Sequence, residues 1–352
     1  LRSAQGDHQA ALADFDHALL AVEALYGKDH LKYARILGSA AQVHFGQRRY
    51  EAARAEQERA LSIREGNVGR DHPIVASSLN ALALTLLHLG ELSTAEKQVR
   101  RALSIQERAL SSQHPDVAAT LRTLAEILLR QARPAEALQQ IDRALTILQT
   151  RAPGSKLRIA AALLLRAQVA AHDERFSDSL ADGQRALSLQ TEVLGPQHPD
   201  RSDAQVLIGG ALLRLGRSAE AKAAWQQALE TRQASAGAQH SSLGPPLLGL
   251  GQLALLRNDP ATGCALLQRA VELYGEANLS GESAEAQLWL AQALPRCGAP
   301  LDRVRQVRLL RLAMQGFQRE GPVAVPRLRQ LQAFAATAGL AAELQQDRKP
   351  SQ

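Results

Sequence analysis

The sequence predicts an all-α protein, an α-solenoid of stacked helix–turn–helix units. Three observations carry that expectation. Alanine recurs at Ala18, Ala60, Ala102, Ala144, Ala186, Ala228 and Ala270, always 42 residues apart. Leu19, Leu61, Leu103, Leu145, Leu187 and Leu229 follow directly, and Val271 closes that column. A period of roughly 20–50 residues marks supersecondary units that bury a core only by stacking. Composition agrees: the chain is 45% hydrophobic but only 3% aromatic, and its dominant Ala and Leu favour helices over strands. Within each period, apolar residues recur three and four apart, as on an amphipathic helix.

Residues 72–110 serve as the type unit. His72 and Pro73 open it, and proline suits the first helical position. Val75, Leu79, Leu82, Leu86 and Leu89 then give a first helix its inner face. Gly90 and Glu91 break the run. Ala95, Val99, Ala102, Leu103 and Ile105 face inward from a second helix. Small residues stand where the helices must approach closely. They are Ala41, Ala83, Ala125, Ala167, Gly209 and Gly251 in the first helix, and Ala11, Ala53, Ala95, Ala137, Ser179, Ala221 and Gly263 in the second. Larger side chains there would force the axes beyond about 8–10 Å.

In chain order, the repeat array is expected over 1–295. A half repeat fills 1–29, and full repeats start near 30, 72, 114, 156, 198 and 240. A degenerate repeat and capping helices follow over 296–340, the last introduced by Pro322 and Pro326. The polar stretch 341–352 is expected to be a flexible tail.

This unit resembles the tetratricopeptide repeat. A small residue on the first helix, a turn glycine, an early alanine in the second helix and another seven residues later form that family's pattern. The linker narrows the resemblance. Gly27 with His30, Gly69 with His72 and Pro73, Gly195 with His198 and Pro199, and Gly237 with His240 share one spacing. Gln113, His114, Pro115, Asp116, Val117 and Ala118 fit it as well. These residues are similar to the linker of the kinesin light chain type. The pattern departs at Lys156, where histidine is missing, and at Ser241, where proline is. The resemblance implies a right-handed solenoid with a concave groove lined by the first helices. It also implies a protein-binding scaffold, of a kind that follows serine/threonine kinase domains in bacterial signalling proteins.

The net charge of +6 is mild for 352 residues. Base-stacking aromatics are scarce, so no nucleic-acid partner is expected. No apolar stretch reaches the ~20 residues of a membrane-spanning helix. The chain opens at Leu1 in mid-repeat, which reads as part of a longer protein. A cytoplasmic location is expected, or a periplasmic one if a membrane segment lies upstream. Cys264 and Cys297 lack CxxC spacing. A disulfide framework and a cysteine zinc site are therefore unsupported, and two small buried or half-buried side chains are expected.

Nothing in the sequence points to catalysis, and no enzyme, metal or cofactor is expected. The histidines in register sit on different repeats, about 8–10 Å apart or more. One zinc ion needs its nitrogen ligands at about 2.0–2.1 Å. The reading that remains is that His-Pro starts each first helix, with histidine closing the turn between repeats. The glycines from Gly244 to Gly251 lack the lysine and hydroxyl of a phosphate loop. Arg303, Arg305, Arg308 and Arg311, at helical spacing, read as a solvated face. The family's groove positions fall on Arg35, Gln42, Asn80, Leu84, His88, Arg122, Glu126, Arg130, Gln168, His172, Arg214 and Gln252. Asp203, Leu87, Leu129, Leu213 and Leu255 are expected beside them. Arginines outnumber acids in this set, so the expected ligand is a protein or peptide segment with acidic side chains. The alternatives are a rigid spacer or self-association domain, or a nucleic-acid-binding helical-repeat module. Against the last, the column Gln42, Leu84, Glu126, Gln168, Gly210 and Gln252 is too irregular to read bases.

Overall fold

The computed structural model describes residues 8–275, 281–298, 300 and 302–345. Among the described residues every regular element is a helix, and the architecture is the expected all-α solenoid of helix pairs. The chain divides into two compact units. Unit 1 comprises residues 1–129 and 135–153, and unit 2 comprises 130–134 and 154–352.

Unit 1 holds α1 (His8–Tyr26), α2 (Leu31–Gly46), α3 (Tyr50–Val68), α4 (Pro73–Leu89) and α5 (Leu92–Leu110). Helices α6 (Pro115–Arg130) and α7 (Pro134–Arg151) follow. Helix α2 packs on α3 and α4 on α5, and α3 and α4 join successive pairs. The small-residue columns explain the pairing: Ala41, Ala53, Ala83, Ala95, Ala125 and Ala137 are fully buried. Val75, Leu79, Leu121, Leu124 and Ile141 fill the space between them.

Unit 2 holds α8 (Lys156–His172), α9 (Phe176–Leu194), α10 (Ser202–Arg214), α11 (Ser218–Ala236) and α12 (Gly244–Leu256). It continues through α13 (Pro260–Tyr274), α14 (Gly281–Ala293), α15 (Arg303–Glu320), α16 (Val325–Thr337) and α17 (Ala341–Gln345). A bidentate fork ties α8 to α9: Arg166 donates to both carboxylate oxygens of Asp182 at 2.7 and 2.6 Å. Glycines admit large rings further on. A methyl at Gly209 would lie 2.5 Å from the Trp225 indole, and one at Gly249 would lie 2.3 Å from it. The Gly244 position is taken up by Tyr274 in the same way. The glycine cluster is thus a set of packing slots. A last core gathers Leu267, Leu310, Phe317 and Leu331.

Five of the turns between repeats end on an imidazole, and the turn before α8 ends on Ser155 instead. Nδ1 of His30, His72, His114, His198 and His240 accepts the backbone N–H two residues on, at 3.1–3.3 Å. This satisfies one of the amides a helix start leaves open, and only a neutral ring offers that lone pair. The chain enters the turn with a left-handed residue. Gly69 has φ +84°, and its register partner Ser111 holds φ +86°.

Two expectations need correction. The disulfide that the spacing left unsupported is present: Cys264 and Cys297 are bonded, with Cα atoms 5.9 Å apart and the two residues 33 positions apart in sequence. The chain between them turns back through α14, so their spacing follows no repeat. Closing a loop of that length stabilises the fold by about 3–4 kcal/mol in the chain-entropy picture. The stretch expected to be a tail opens with α17, whose Glu343 accepts from Arg303 at 2.9 Å. Residues 346–352 lie outside the described residues. In the arginine run of α15, Arg303 and Arg311 reach the α17 segment, and Arg305 donates to Gln268.

Candidate peptide-binding groove

In unit 1 the candidate residues lie one, or about two, helical turns apart, so each first helix presents them on one face. On α2, Arg35 and Gln42 are exposed. On α4, Asn80 and Leu84 are half-buried and His88 is exposed. The Asn80 Oδ1 is buried and accepts no hydrogen bond. On α6, Arg122 and Glu126 are half-buried and paired at 3.7 Å. Leu129 is half-buried near the end of that helix, and Arg130, its last residue, is half-buried and falls in unit 2.

An aromatic trio closes one end of this face. His88 stacks on Tyr50 with centroids 4.8 Å apart. Phe45 meets both rings edge-on, at 5.4 and 5.1 Å. Three rings at one place in a chain with so few aromatics was an available signal that the spacing argument passed over. Beside them, His44 Nε2 lies 3.5 Å from Glu56 Oε1. Burial, and then the Asp16 charge, push the Glu56 carboxyl up to about 7. Burial, and then Arg49, hold the His44 imidazole below its usual range, while Asp16 opposes them.

In unit 2, Gln168 and His172 on α8 are exposed. Arg214 on α10 lies over the Phe176 ring, 4.4 Å from its centroid, and 3.8 Å from Glu174. Leu213 beside it is half-buried. Gln252 on α12 donates to Glu285 of α14 at 3.2 Å. Glu285 in turn lies 3.7 Å from Arg327, which also pairs with Glu320 at 3.3 Å. Asp203 is exposed but serves the buried Arg232, which also donates to the Ser242 carbonyl at 2.6 Å.

Two expected groove leucines are core instead. Leu87 is fully buried and Leu255 is 8% exposed. Each sits one position off the exposed face, turned toward the second helix. The arginine excess is also partly committed within the chain, since Arg122 and Arg214 have carboxylate neighbours.

The cavities lie elsewhere. One of about 470 Å³ opens between α11, α12 and α13, over Leu229, Leu250, Leu253 and Leu266. Another of about 490 Å³ opens between α9, α10 and α11, over Leu187, Ile208 and Leu212. Leu187 and Leu229 are register partners, so the furrow recurs in these two successive repeats. None of the candidate groove residues lines either cavity.

Comparison with known proteins agrees with the architecture. BtubC (BKLC) from P. vanneervenii superposes with a TM-score of 0.55 at 18% identity, over 66% of this chain and 93% of that one. A tetratricopeptide repeat protein from Parabacteroides merdae gives 0.54 at 14% identity, over 83% and 94%. The Rap conjugation gene regulator of plasmid pLS20, solved in complex with the Phr* peptide, gives 0.63 at 12% identity, over 87% and 76%. At these identities the likeness is one of fold. No curated protein matches the sequence. The tetratricopeptide repeat family model matches residues 1–66, 39–108, 74–150 and 158–234, and the chain belongs to that family.

Proposed function

We propose that this chain is a non-catalytic recognition module whose first-helix face binds a flexible segment of a protein partner. Tetratricopeptide repeat proteins are in general protein-interaction scaffolds. The observation that carries the reading further is the face of α4 and α6. There Asn80 and Leu84 on α4 and the paired Arg122 and Glu126 on α6 are half-buried. An amide side chain offers two donors to the carbonyls of a peptide backbone. Leu84 offers an apolar contact, and the arginines Arg35, Arg122 and Arg130 favour a segment with acidic side chains. A neighbour of the same fold, the Rap regulator, is described in complex with a peptide, which supports this mode. The larger protein would be a bacterial signalling protein of the serine/threonine kinase kind, a reading supported by the linker resemblance.

The test begins with random ten-residue peptides displayed on phage and selected on the full chain. Selected peptides are then measured by fluorescence anisotropy against Asn80→Ala and Arg122→Glu variants, with a labelled single-stranded RNA alongside. Acidic peptides that weaken at least about tenfold on either variant, the cost of one lost charged hydrogen bond, are the expected result. Equal affinity for variants that keep their helix content, or tighter binding of the RNA, would sink the proposal.

A further inference from the structure

Cys264 lies on α13 and is 9% exposed, whereas Cys297 is half-buried just beyond the short turn Leu294–Arg296 that ends α14. Both sulfurs lie against the Ala293 carbonyl, at 3.9 and 3.3 Å. A second tie runs beside the bridge. Arg296 donates to Asn258 Oδ1 at 2.8 Å, on the turn that leads into α13. The end of α14 is thus fastened at two points to the start of the preceding second helix. Positions in register with Cys264 hold Lys222, Leu180, Leu138, Glu96 and Arg54, so only this repeat is built to be bridged. It is also the last one before the 42-residue register lapses. The buried glycine pair Gly251 and Gly263 positions α12 and α13 but adds no side-chain contact of its own.

We propose that Cys264 and Cys297 form a redox-set staple, closed in an oxidising compartment, that locks the α14–α15 pair onto α13. Disulfides persist in such compartments and are rare in the reducing cytosol. The inference therefore places the working protein outside the cytosol, the second of the two locations weighed from the sequence. It stands independently of the peptide-binding reading. Closure proceeds by exchange with an external disulfide, such as that of a thiol–disulfide oxidoreductase or oxidised glutathione. The more exposed Cys297 thiolate attacks one external sulfur and releases the first external thiolate. Cys264, deprotonated, then attacks the Cys297 sulfur of the mixed disulfide and releases the second. Two protein thiols are oxidised, one external disulfide is reduced to two thiols, and two protons leave the protein. Reduction by an external thiol reverses the sequence.

The experiment uses the full 352-residue chain, expressed once with an export signal and once retained in the cytosol. Thiols are trapped with an alkylating reagent on lysis, and the mass is read before and after reduction. Hydrogen exchange is then followed on oxidised protein, on the same protein in dithiothreitol, and on C264A/C297A. The exported chain should take up no reagent until reduced, and two equivalents afterwards. Reduction should speed exchange over 281–297 roughly tenfold or more, because a local opening then no longer works against the cross-link. Exchange in α4 and α5 should not change, and the double variant should match the reduced chain. Alkylation of both cysteines in the unreduced exported protein would overturn the proposal. So would equal exchange over 281–297 with and without the bridge. Should the double variant fail to fold, the reduced wild-type chain carries the same comparison.

Discussion

The pairs α4–α5 and α12–α13 follow one 42-residue template but reach close packing by different means. In α4–α5 the helices meet at Ala83 and Ala95, and Val99 fills the space behind them, all fully buried. In α12–α13 the same two positions are Gly251 and Gly263. A methyl on either would come within 2.8 or 2.7 Å of a leucine side chain. The position of Val99 is Leu267 in α13 and Trp225 in the neighbouring α11. The Trp225 ring takes the space at Gly209 and Gly249, and its indole N–H donates to the Val206 carbonyl at 3.2 Å. The comparison teaches that the template fixes the helix axes but not the volume each side chain contributes. When one helix takes a large ring, its neighbours give up their Cβ atoms, since a packed interior has little spare room.

The sharpest way to break that comparison is to return a Cβ to the slot. Gly249→Ala should gain about 1 kcal/mol in helix propensity. It should nonetheless lose about 2–3 kcal/mol net, because the Trp225 ring blocks the added methyl. Urea unfolding followed by circular dichroism reads the difference. The register partner Ala81→Gly in α4 should cost only about 1 kcal/mol. A Gly249→Ala protein as stable as wild type would mean that the indole yields freely and that the two pairs do not differ as argued.

A smaller effect is expected at the turns. Ser111 holds φ +86° and ψ 154°, a region that side chains with a Cβ rarely enter. Its register partners Gly69, Gly195 and Gly237 are glycines with the same sign of φ. Ser111→Gly should therefore stabilise unit 1 by about 1–2 kcal/mol, and Gly69→Ser should lose a similar amount. A neutral or negative effect of Ser111→Gly would show that the turn relaxes around the serine.

The smallest effect is a pH dependence confined to unit 1. Glu56 is raised to about 7. Its contribution is fully present below the unfolded carboxyl range and is lost as pH rises through about 7. His44 is lowered. Its contribution is present above the unfolded imidazole range, about 6.5, and is lost as pH falls through its depressed value. The two slopes oppose each other below about 6.5, and only the Glu56 loss remains as pH rises toward 7, with Asp16 and Arg49 the other charges at the site. Water reaches both groups, so the amplitude should stay below about 1 kcal/mol. Glu56→Gln should flatten the alkaline limb, and an unchanged limb would assign the dependence elsewhere.

Much of the fold was legible because it repeats. The alanine columns, the histidine caps and the small residues at helix crossings recur every 42 residues, so each copy confirms the others. Features that occur once were not legible in the same way. The Cys264–Cys297 bridge lies where the register lapses, and its spacing has no counterpart upstream. The left-handed residues Arg48, Ala132, Glu174 and Asn258 share a register with Gly90 and Gly216. Their own types do not announce that backbone, because the template imposes it. At the candidate groove, helical spacing identified the exposed face. It could not separate Leu84 from Leu87, which lie three residues apart but differ in burial, nor show that Arg214 already lies beside Glu174.

The placement of Trp225 has a practical corollary. The chain contains two tryptophans, Trp225 and Trp289, and both belong to unit 2. One is buried in its glycine slot and the other is half-buried on α14. Indole emission therefore monitors unit 2 alone, whereas far-ultraviolet ellipticity monitors helices in both units. If the two signals change together in denaturant, the chain unfolds as one cooperative body. If emission changes separately, the offset measures how far the two units differ in stability, with no label added.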